Sequence, residues 1–328
     1  MTTYPPVQLL ESRAYVSELT TKISQATRRV SIMSLIIADD ETTHDLIVSL
    51  KAAASRGVTV DIAADSFTFS EFGGALNPFK QQTARSRMAR QMGNELSAAG
   101  ASFTWLDDRL KLNPFAGVTH SKWSVVDDTC YVFGGVNLYV DGIRSTDYML
   151  RLTDAQLADD ITLQQQAIAA SPTPLYEGYT ASSHIGTWYV DSGKRNDSII
   201  YDRAVELARQ AEKILYVSQY CPSGPLATSV KDKGECYFNQ PRNASFLTSL
   251  MLTVDQMKTG IHSRYRHTNY LHAKFIIYTM PGGEKVALTG SHNFSHKGVV
   301  FGTREVALET NDPEIIGQLE AFFQVSIR

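Results

Sequence analysis

The chain has 328 residues, of which 43% are hydrophobic and 20% charged, and its formal net charge at pH 7 is −3. These values are typical of a globular protein in water, and they exclude both a disordered chain and a strongly basic one. The length predicts about two domains.

The cysteines and the start of the chain favour a reducing compartment. The three cysteines have no metal-ligand spacing, and their odd number argues against a disulfide framework. The first residues lack the basic start and apolar run of a signal peptide, and no window reaches the roughly 18 apolar residues of a membrane span. We therefore expect a cytoplasmic protein without a transmembrane segment, whose contact with a membrane would be peripheral.

Strands and helices alternate through the first half of the chain. The patterns predict a helix over 9–27, a buried strand over 30–37, a helix over 42–56 and a second strand over 58–63. This order indicates two parallel strands joined by a crossover helix. The next stretch, 66–78, is rich in phenylalanine and glycine and predicts a long loop.

The second half follows a similar order after a proline-rich segment. The patterns predict these elements: a helix over 199–213, a strand over 214–219, a long polar loop over 221–242, a helix over 244–258 and a strand over 270–278. The segment 171–174 is typical of a linker. The sequence therefore predicts an N-terminal domain over 1–172 and a C-terminal domain over 173–328.

Two short motifs, one in each half, pair a histidine with a lysine two positions later. The first is His120-Ser121-Lys122 and the second is His272-Ala273-Lys274. Each is followed by a turn of two small residues, a variable residue and an asparagine: Gly134-Gly135-Val136-Asn137 and Gly290-Ser291-His292-Asn293. Because residues two apart on an extended chain point to the same side, each histidine aims with its lysine.

This set of side chains is suited to attack on a phosphodiester. One imidazole can attack phosphorus and form a covalent phosphohistidine, and a second can protonate the leaving oxygen and activate the incoming water or alcohol. The lysines and the asparagines, Asn137 and Asn293, can oppose the growing charge on the phosphoryl oxygens. Gly135 and Ser291 let the backbone approach a phosphate closely. No metal or other cofactor is expected, because the lysines supply the positive field.

Both motifs resemble the HKD motif of the phospholipase D superfamily, His-x-Lys-x4-Asp with Gly-[Gly/Ser]-x-Asn. The first copy is complete and ends at Asp127, for which we expect a structural role. The second departs from the pattern, because Thr279 stands where the family has aspartate. The resemblance implies an α/β fold of two similar domains, each a mixed β-sheet flanked by helices, related by a pseudo-two-fold axis and sharing one site.

The same resemblance implies roles for further residues. In the family an acidic residue after the Gly-x-Asn turn often orients each histidine, and the candidates are Asp147 and Glu305. By analogy, His120 is the nucleophile and His272 the acid and base. Ser295, just after the second turn, could touch the phosphate or cap the turn.

The resemblance favours phospholipid head groups as the substrate, in the manner of the phospholipase D and phosphatidyltransferase branches. The alternative is a metal-independent nuclease acting on DNA or RNA, whose backbone Arg85, Arg87 and Arg90 could follow. A third interpretation, prompted by Thr279, is an inactive module that binds phosphodiesters without turnover.

Two further features leave alternatives open. A group of aromatic residues could form an acyl-binding or membrane-touching lip, or belong to the core: Phe67, Phe69, Phe72 and Phe79. Arg264 and Arg266 could form a basic rim for an anionic head group or a nucleic-acid backbone, or lie on a solvated loop.

Overall fold

The computed structural model describes residues 6–74, 77, 79–107, 117–171 and 175–328. The predicted linker residues 172–174 lie outside this part of the chain, so the domain boundary between 172 and 173 stays a prediction. Three residues of the predicted 66–78 loop, numbers 75, 76 and 78, also lie outside it.

The first half begins with a strand and a helix and then alternates between the two. In chain order its elements are β1 (Gln8–Glu11), α1 (Ser12–Gln25), β2 (Arg29–Ser34), α2 (His44–Ser55), β3 (Thr59–Asp65), α3 (Phe67–Gly73), a 3₁₀ turn (Lys80–Gln82), α4 (Ala84–Ala98), β4 (Ser102–Leu106), β5 (Trp123–Val126), β6 (Thr129–Val132), α5 (Val140–Arg144), β7 (Tyr148–Thr153) and α6 (Ala155–Ala170).

The second half begins with a hairpin. Its elements are β8 (Tyr179–Ser183), β9 (Gly186–Val190), α7 (Ile199–Gln210), β10 (Lys213–Val217), α8 (Pro225–Lys233), β11 (Gly234–Tyr237), a 3₁₀ turn (Pro241–Asn243), α9 (Phe246–Thr259), β12 (Phe275–Thr279), β13 (Lys285–Gly290), α10 (His296–Phe301), β14 (Val306–Thr310) and α11 (Pro313–Ser326). Among the described helices of both halves, none combines the length and apolar character needed to cross a membrane.

The two halves build sheets with the same strand order. Six neighbours run β3-β2-β5-β6-β7-β1 in the first sheet and β11-β10-β12-β13-β14-β9 in the second, and one edge strand is added to each, β4 and β8. The pairs β2–β3 and β10–β11 are parallel, whereas the hairpins β5–β6 and β12–β13 are antiparallel. These mixed sheets and their helices confirm the predicted α/β fold of two similar domains.

One hydrophobic core joins the halves. Trp123 and Tyr148 of the first sheet and Phe275 of the second lie in one continuous cluster of buried side chains, to which α6 and α11 contribute. Burying a large apolar side chain stabilises the fold by about 1.5–3 kcal/mol. The central hairpins are also bonded directly, since Thr289 Oγ1 donates to the carbonyl of Phe133 at 2.9 Å. The two sheets are therefore held against each other at the strands that carry the motifs.

Two of the predicted loops contain regular structure. Part of the 66–78 stretch forms α3, which buries Phe69 completely and places Phe72 against Tyr139. Part of the 221–242 stretch forms α8 and β11, and α8 starts at Pro225, a residue that suits the first turn of a helix. Both loop predictions were wrong because short elements bury too few residues to show a periodic pattern, so packing decides them.

The start of the chain departs from its prediction in one respect. Residues 9–11, predicted as the start of a helix, belong to β1, which pairs antiparallel with β7 at the sheet edge. The helix α1 then buries Tyr15, Val16, Leu19 and Ile23 along one face.

The last residue of the motif is Asp127 in the first copy and Thr279 in the second, and both lie at the end of the strand farther from the histidine. Asp127 accepts the backbone N–H groups of residues 27–29 at 2.9–3.1 Å, and these bonds hold the pKa of its carboxyl below the usual value although partial burial would raise it. In the second half, the backbone carbonyl of Thr279, and not its side chain, accepts the N–H of Glu212 at 2.8 Å. The aspartate thus ties the turn before β2 to the β5–β6 hairpin, and its structural role stays a prediction.

Candidate active site

Both His-x-Lys segments lie just before a central strand and are bonded to the opposite half. The His120 N–H donates to the carbonyl of Arg304 at 2.7 Å, and the His272 N–H donates to the carbonyl of Thr146 at 3.0 Å. Short parallel bridges mark the two contacts: Thr119 with Arg304, and Thr146 with Leu271. Each histidine therefore lies against the residue that precedes a candidate carboxylate of the other half.

The carboxylates are consequently exchanged between the halves. Glu305 Oε2 lies 2.8 Å from His120 Nδ1, and Asp147 Oδ2 lies 2.6 Å from His272 Nδ1. The sequence named both acids as candidates without assigning partners, and the structure brings each to the histidine of the opposite half. An ionised carboxylate only accepts hydrogen bonds, so each Nδ1 carries the proton and each Nε2 keeps its lone pair.

Burial keeps both imidazoles neutral. His120 is 9% exposed and His272 is 8% exposed. Burial, together with the charges of Lys122 and Lys274, lowers the pKa of His120 well below its usual value. Burial and the charge of Lys274 lower the pKa of His272 to about 3, although Asp147 opposes the shift. A neutral imidazole with a free Nε2 is the form that can attack an electrophile.

The lysines are buried beside their histidines. Lys122 Nζ donates to the carbonyl of His120 at 2.7 Å; Lys274 Nζ donates to the carbonyl of His272 and lies 2.9 Å from its Nδ1. Burial lowers the pKa of Lys122 to about 7 and that of Lys274 to about 8. A bound anion would favour the charged form of both, so the pair is suited to receive a phosphate.

The two asparagines retain unused hydrogen-bonding capacity. Asn137 is 3% exposed. Among the described residues, the buried side-chain oxygens of Asn137 and Asn293 have no hydrogen-bond partner. The backbone of Asn293 is fixed, because its carbonyl accepts a bond from Ser218 Oγ at 2.8 Å. A buried polar atom without a partner is rare in folded proteins, and a ligand can supply the missing contact.

The small residues of the turns lie against the carboxylates. A Cβ added at Gly135 would lie 2.7 Å from Asp147 Oδ2 and 3.0 Å from Lys274 Nζ. Ser291 Oγ donates to Glu305 Oε2 at 2.5 Å and accepts the N–H of Val306 at 3.0 Å. Gly135 thus leaves room for one carboxylate, and Ser291 holds the other. Direct contact of either residue with a phosphate stays a prediction.

Ser295 lies near the second turn, but it is not one of the residues whose hydrogen bonds hold His120 or His272. Its side chain is buried, and its Oγ lies 3.3 Å from Ser223 Oγ. It occupies the position before α10 without capping that helix. Ser295 therefore does not cap α10, and both the capping of the turn and contact with a phosphate stay predictions.

A third imidazole escaped the sequence analysis. His292, the variable residue of the second turn, is 2% exposed, and its Nδ1 accepts the N–H of Phe294 at 2.8 Å. Burial lowers its pKa to about 4, although Glu305 opposes the shift and His120 adds to it. The ring is therefore neutral, with its proton on Nε2. The first turn has Val136 at this position, so the repeat offered no signal for it.

A tyrosine pair beside His272 was also missed. The side-chain amide of Gln219 donates to the hydroxyls of Tyr220 and Tyr270, both at 2.9 Å. Tyr270 precedes His272 by two residues, and its carbonyl accepts the N–H of Thr146 at 2.9 Å. That short distance along the chain was the available signal. The side-chain amide of Gln219 thus holds the hydroxyl of Tyr220 to that of Tyr270, a residue two positions before His272.

The arginines considered for a nucleic-acid backbone serve packing in this structure. The guanidinium of Arg85 lies 5.1 Å from the ring centre of Phe72, and that of Arg90 lies 4.4 Å from that of Phe69. Arg87 donates to the carbonyl of Gln82. The two contacts with aromatic rings fasten α4 to α3. The four phenylalanines do not all lie on one exposed lip, because Phe69 is fully buried.

Comparison with known proteins gives matches in sequence and in structure. A family model described as a cardiolipin synthase, PLD-like domain matches residues 19–167. Cardiolipin synthase B of Escherichia coli (strain K12) is 27% identical over 167 residues, which cover 47% of this chain and 36% of that protein. The match thus spans about a third of the length of the curated relative.

The structural matches extend over nearly the whole chain. Phosphatidylserine synthase of Haemophilus influenzae Rd KW20 has a TM-score of 0.71 at 13% identity and covers 98% of this chain and 86% of that one. Polyphosphate kinase of Porphyromonas gingivalis has a TM-score of 0.59 at 12% identity and covers 96% and 49%. At such identities these matches concern the fold alone. The family model and the curated relative confirm the resemblance to the phospholipase D superfamily that the paired motifs predicted.

Proposed function

We propose that this protein cleaves phosphodiesters at phospholipid head groups through a covalent phosphohistidine intermediate, as a phospholipase D or a phosphatidyltransferase. The observation that carries the proposal is the pair of buried imidazoles, each held at Nδ1 by a carboxylate of the opposite half. Two buried lysines lie beside these imidazoles. This set offers a nucleophile, an acid and base, and charge stabilisation without further groups.

The proposed first step breaks the bond between phosphorus and the leaving oxygen. His120 Nε2 attacks phosphorus and forms the P–N bond, and His272 Nε2 gives its proton to the leaving alcohol. His272 is neutral in the empty site, so it must take up this proton when the anionic substrate binds. The negative charge of the phosphodiester favours that uptake, because an opposite charge raises the pKa of a nearby imidazole.

The proposed second step restores the histidine. Water or an acceptor alcohol attacks phosphorus, the P–N bond breaks, and His272 removes the proton of the attacking hydroxyl. Lys122 and Lys274 oppose the charge on the phosphoryl oxygens in both steps. Water gives hydrolysis and an alcohol gives transfer, and both outcomes use the same residues.

Phospholipid is preferred as the substrate for two reasons. The matching family model is described as a cardiolipin synthase, PLD-like domain, and the curated relative that matches 47% of the chain is a cardiolipin synthase B. Two of the three arginines that a nuclease could use along a nucleic-acid backbone, Arg85 and Arg90, are engaged with aromatic rings of α3.

The test is an activity assay in EDTA against phosphatidylglycerol, phosphatidylcholine and single-stranded DNA. We expect release of a lipid head group by the unmodified protein and its loss in His120→Ala and His272→Ala. His44→Ala is the matched control, because His44 makes a similar contact, 2.8 Å from Nδ1 to Asp39 Oδ1, at the surface. DNA cleavage without lipid turnover would support a nuclease instead, and binding without turnover would support an inactive module.

A further inference from the structure

A segment of the C-terminal half leaves the sheet and returns beside His272. This segment, residues 240–270, contains α9 and is called the 240–270 lobe below. The side chain of Asn239 closes its two ends, because it accepts the N–H of Leu271 at 2.9 Å and donates to the carbonyl of Leu271 at 2.7 Å. Since Leu271 directly precedes His272, the lobe starts and ends at the rim of the candidate site.

The helix of this lobe presents an apolar face to solvent. Four large hydrophobic side chains on α9 are exposed: Leu250 at 55%, Met251 at 40%, Val254 at 37% and Met257 at 80%. At about 100° per residue they share an arc of about 120°. Every other helix in the described part of the chain has at most one exposed large hydrophobic side chain. The face is therefore a concentrated patch rather than a scatter of single residues.

The opposite face of α9 fastens the lobe to the segments around the site. Leu252 is fully buried, and Asp255 pairs with Lys297 at 2.7 Å. Thr259 lies 3.5 Å from the sulfur of Cys221. Lys297 follows the second Gly-x-Asn turn and Cys221 follows Tyr220. The exposed face is thus on a helix that is fastened to two segments of the C-terminal domain, one of which follows the second Gly-x-Asn turn.

The lobe is basic although the whole chain is acidic. Between residues 240 and 270 the charged residues are Arg242, Lys258, Arg264 and Arg266 against the single acid Asp255. All four basic residues are exposed, whereas Asp255 is 7% exposed and bonded to Lys297. Arg264 also pairs at the surface with Glu235, just outside the lobe, at 3.1 Å. An apolar helical face with basic surroundings is complementary to an anionic bilayer, whose head groups attract the charges and whose acyl boundary accepts the apolar side chains.

We propose that the 240–270 lobe docks on an anionic lipid surface, with the exposed face of α9 in the boundary between head groups and acyl chains. The docked lobe would bring the His272 side of the pocket to the lipid head groups. The choice of a membrane as the partner rests on the proposed action on phospholipids. The location of the contact rests on the exposure and charge of the lobe.

The experiment is co-sedimentation of the full chain with vesicles. We expect binding to mixed phosphatidylglycerol and phosphatidylcholine vesicles that is at least about tenfold tighter than to phosphatidylcholine alone and that weakens with added salt. Leu250→Glu with Met257→Glu should weaken this binding at least about tenfold. The matched control is Leu163→Glu with Val325→Glu, since these residues are 58% and 80% exposed on α6 and α11; it should change binding less than about twofold.

Three results would overturn the docking proposal. The first is that the unmodified protein does not bind anionic vesicles. The second is that the α9 substitutions leave the binding unchanged. The third is that the control variant loses as much binding as the α9 variant. If the unmodified protein binds no vesicles and the α9 substitutions convert a dimer to a monomer on size exclusion, the face joins two copies, which also overturns it.

A soluble substrate separates this proposal from the proposed function. Dispersed short-chain phosphatidylglycerol needs no membrane, so the α9 variant should turn it over within about twofold of the unmodified protein while losing turnover of vesicles. Equal losses on both substrates would overturn the docking role. If the unmodified protein turns over no lipid in either form, the proposed function fails, and the vesicle-binding result still decides the docking.

Discussion

The two halves of the candidate site have the same parts but different electrostatics. Burial would raise the pKa of the Asp147 carboxyl, yet Lys274 and the hydrogen bond to His272 hold that pKa below its usual value. Burial does raise the pKa of Glu305, although His292, Lys122 and Ser291 oppose the shift. The Asp147 carboxylate is therefore the more firmly ionised of the two.

This difference suits the two histidines to different tasks. An ionised carboxylate stabilises a proton on the imidazole that it contacts, so His272 beside Asp147 is the better place for the proton that substrate binding introduces. His120 beside Glu305 receives less of this support and stays a neutral nucleophile. The comparison supports the proposed order, with His120 as nucleophile and His272 as acid and base, and the expectations below test it from the largest effect to the smallest.

Removal of either motif histidine should abolish turnover, but the two variants should differ in whether the covalent intermediate can still form. His120→Ala and His272→Ala should each lower kcat by at least about 10⁴-fold. If His120 is the nucleophile, a substrate with a good leaving group should still phosphorylate His272→Ala, because such a group needs no proton. The measurement is mass spectrometry of the protein after acid-free digestion. A label on residue 272 in His120→Ala would reverse the assigned order.

Exchange of the carboxylates between halves predicts which pairs are energetically coupled. Asp147→Asn and Glu305→Gln should each lower kcat by about 10²-fold, because the imidazoles lose orientation and charge support. In double-mutant cycles of thermal unfolding, Asp147→Asn should couple to His272→Ala by about 0.5–3 kcal/mol and add independently to His120→Ala. Coupling to His120 instead would contradict the crossed arrangement.

The position of Gly135 should tolerate change less well than that of Ser291. Gly135→Ala should lower kcat by more than about tenfold, because a Cβ would lie within 3.0 Å of both Asp147 and Lys274. Ser291→Ala removes one bond to Glu305 and should cost about threefold or less. Steady-state kinetics of both variants provide the measurement, and the reverse ranking would show that hydroxyl support outweighs the steric effect.

The pKa values of the two lysines predict where kcat/KM falls on the alkaline side of its pH profile. A lysine is charged below its pKa, and these values are about 7 for Lys122 and about 8 for Lys274. The quantity kcat/KM, which reports on the free protein, should therefore fall by about tenfold per pH unit above pH 7 to 8. His120, whose pKa is well below its usual value, should stay neutral down to the acid limb.

Replacement of Lys122 by arginine tests whether Lys122 sets the start of the alkaline limb. In Lys122→Arg the guanidinium keeps its charge, so the alkaline limb should move to the pKa of Lys274, about 8. An alkaline limb above pH 10 in the unmodified protein would mean that burial does not depress the lysines.

The smallest expected effect is on stability, and it should differ between the last residues of the two motifs, Asp127 and Thr279. Asp127→Ala should lower the free energy of unfolding by about 1–2 kcal/mol, because three backbone N–H groups lose a partly exposed acceptor. Thr279→Ala should cost less than about 1 kcal/mol, since the side chain makes no comparable set of contacts. Chemical denaturation measures both changes. A loss of kcat in folded Asp127→Ala would indicate a role beyond structure.

Much of the fold was predictable because it depends on local patterns. The apolar run at 30–37 and the alternation at 58–63 predicted two parallel strands, β2 and β3, and the sequence also predicted most of α1. The short elements α3 and α8 escaped prediction, because three or four buried residues do not establish a period. The pairing of residues 8–11 with β7 escaped it as well, because the partner lies far along the chain.

The same division holds for the candidate site. The sequence by itself determined which chemical groups are available, because the two His-x-Lys motifs and the two Gly-[Gly/Ser]-x-Asn turns are local and repeated. The tertiary structure decided which carboxylate serves which histidine and how strongly each group holds its proton. Hydrogen bonds such as that from His120 to Arg304 form only when the two sheets pack together, and the pKa shifts follow from the burial that this packing creates.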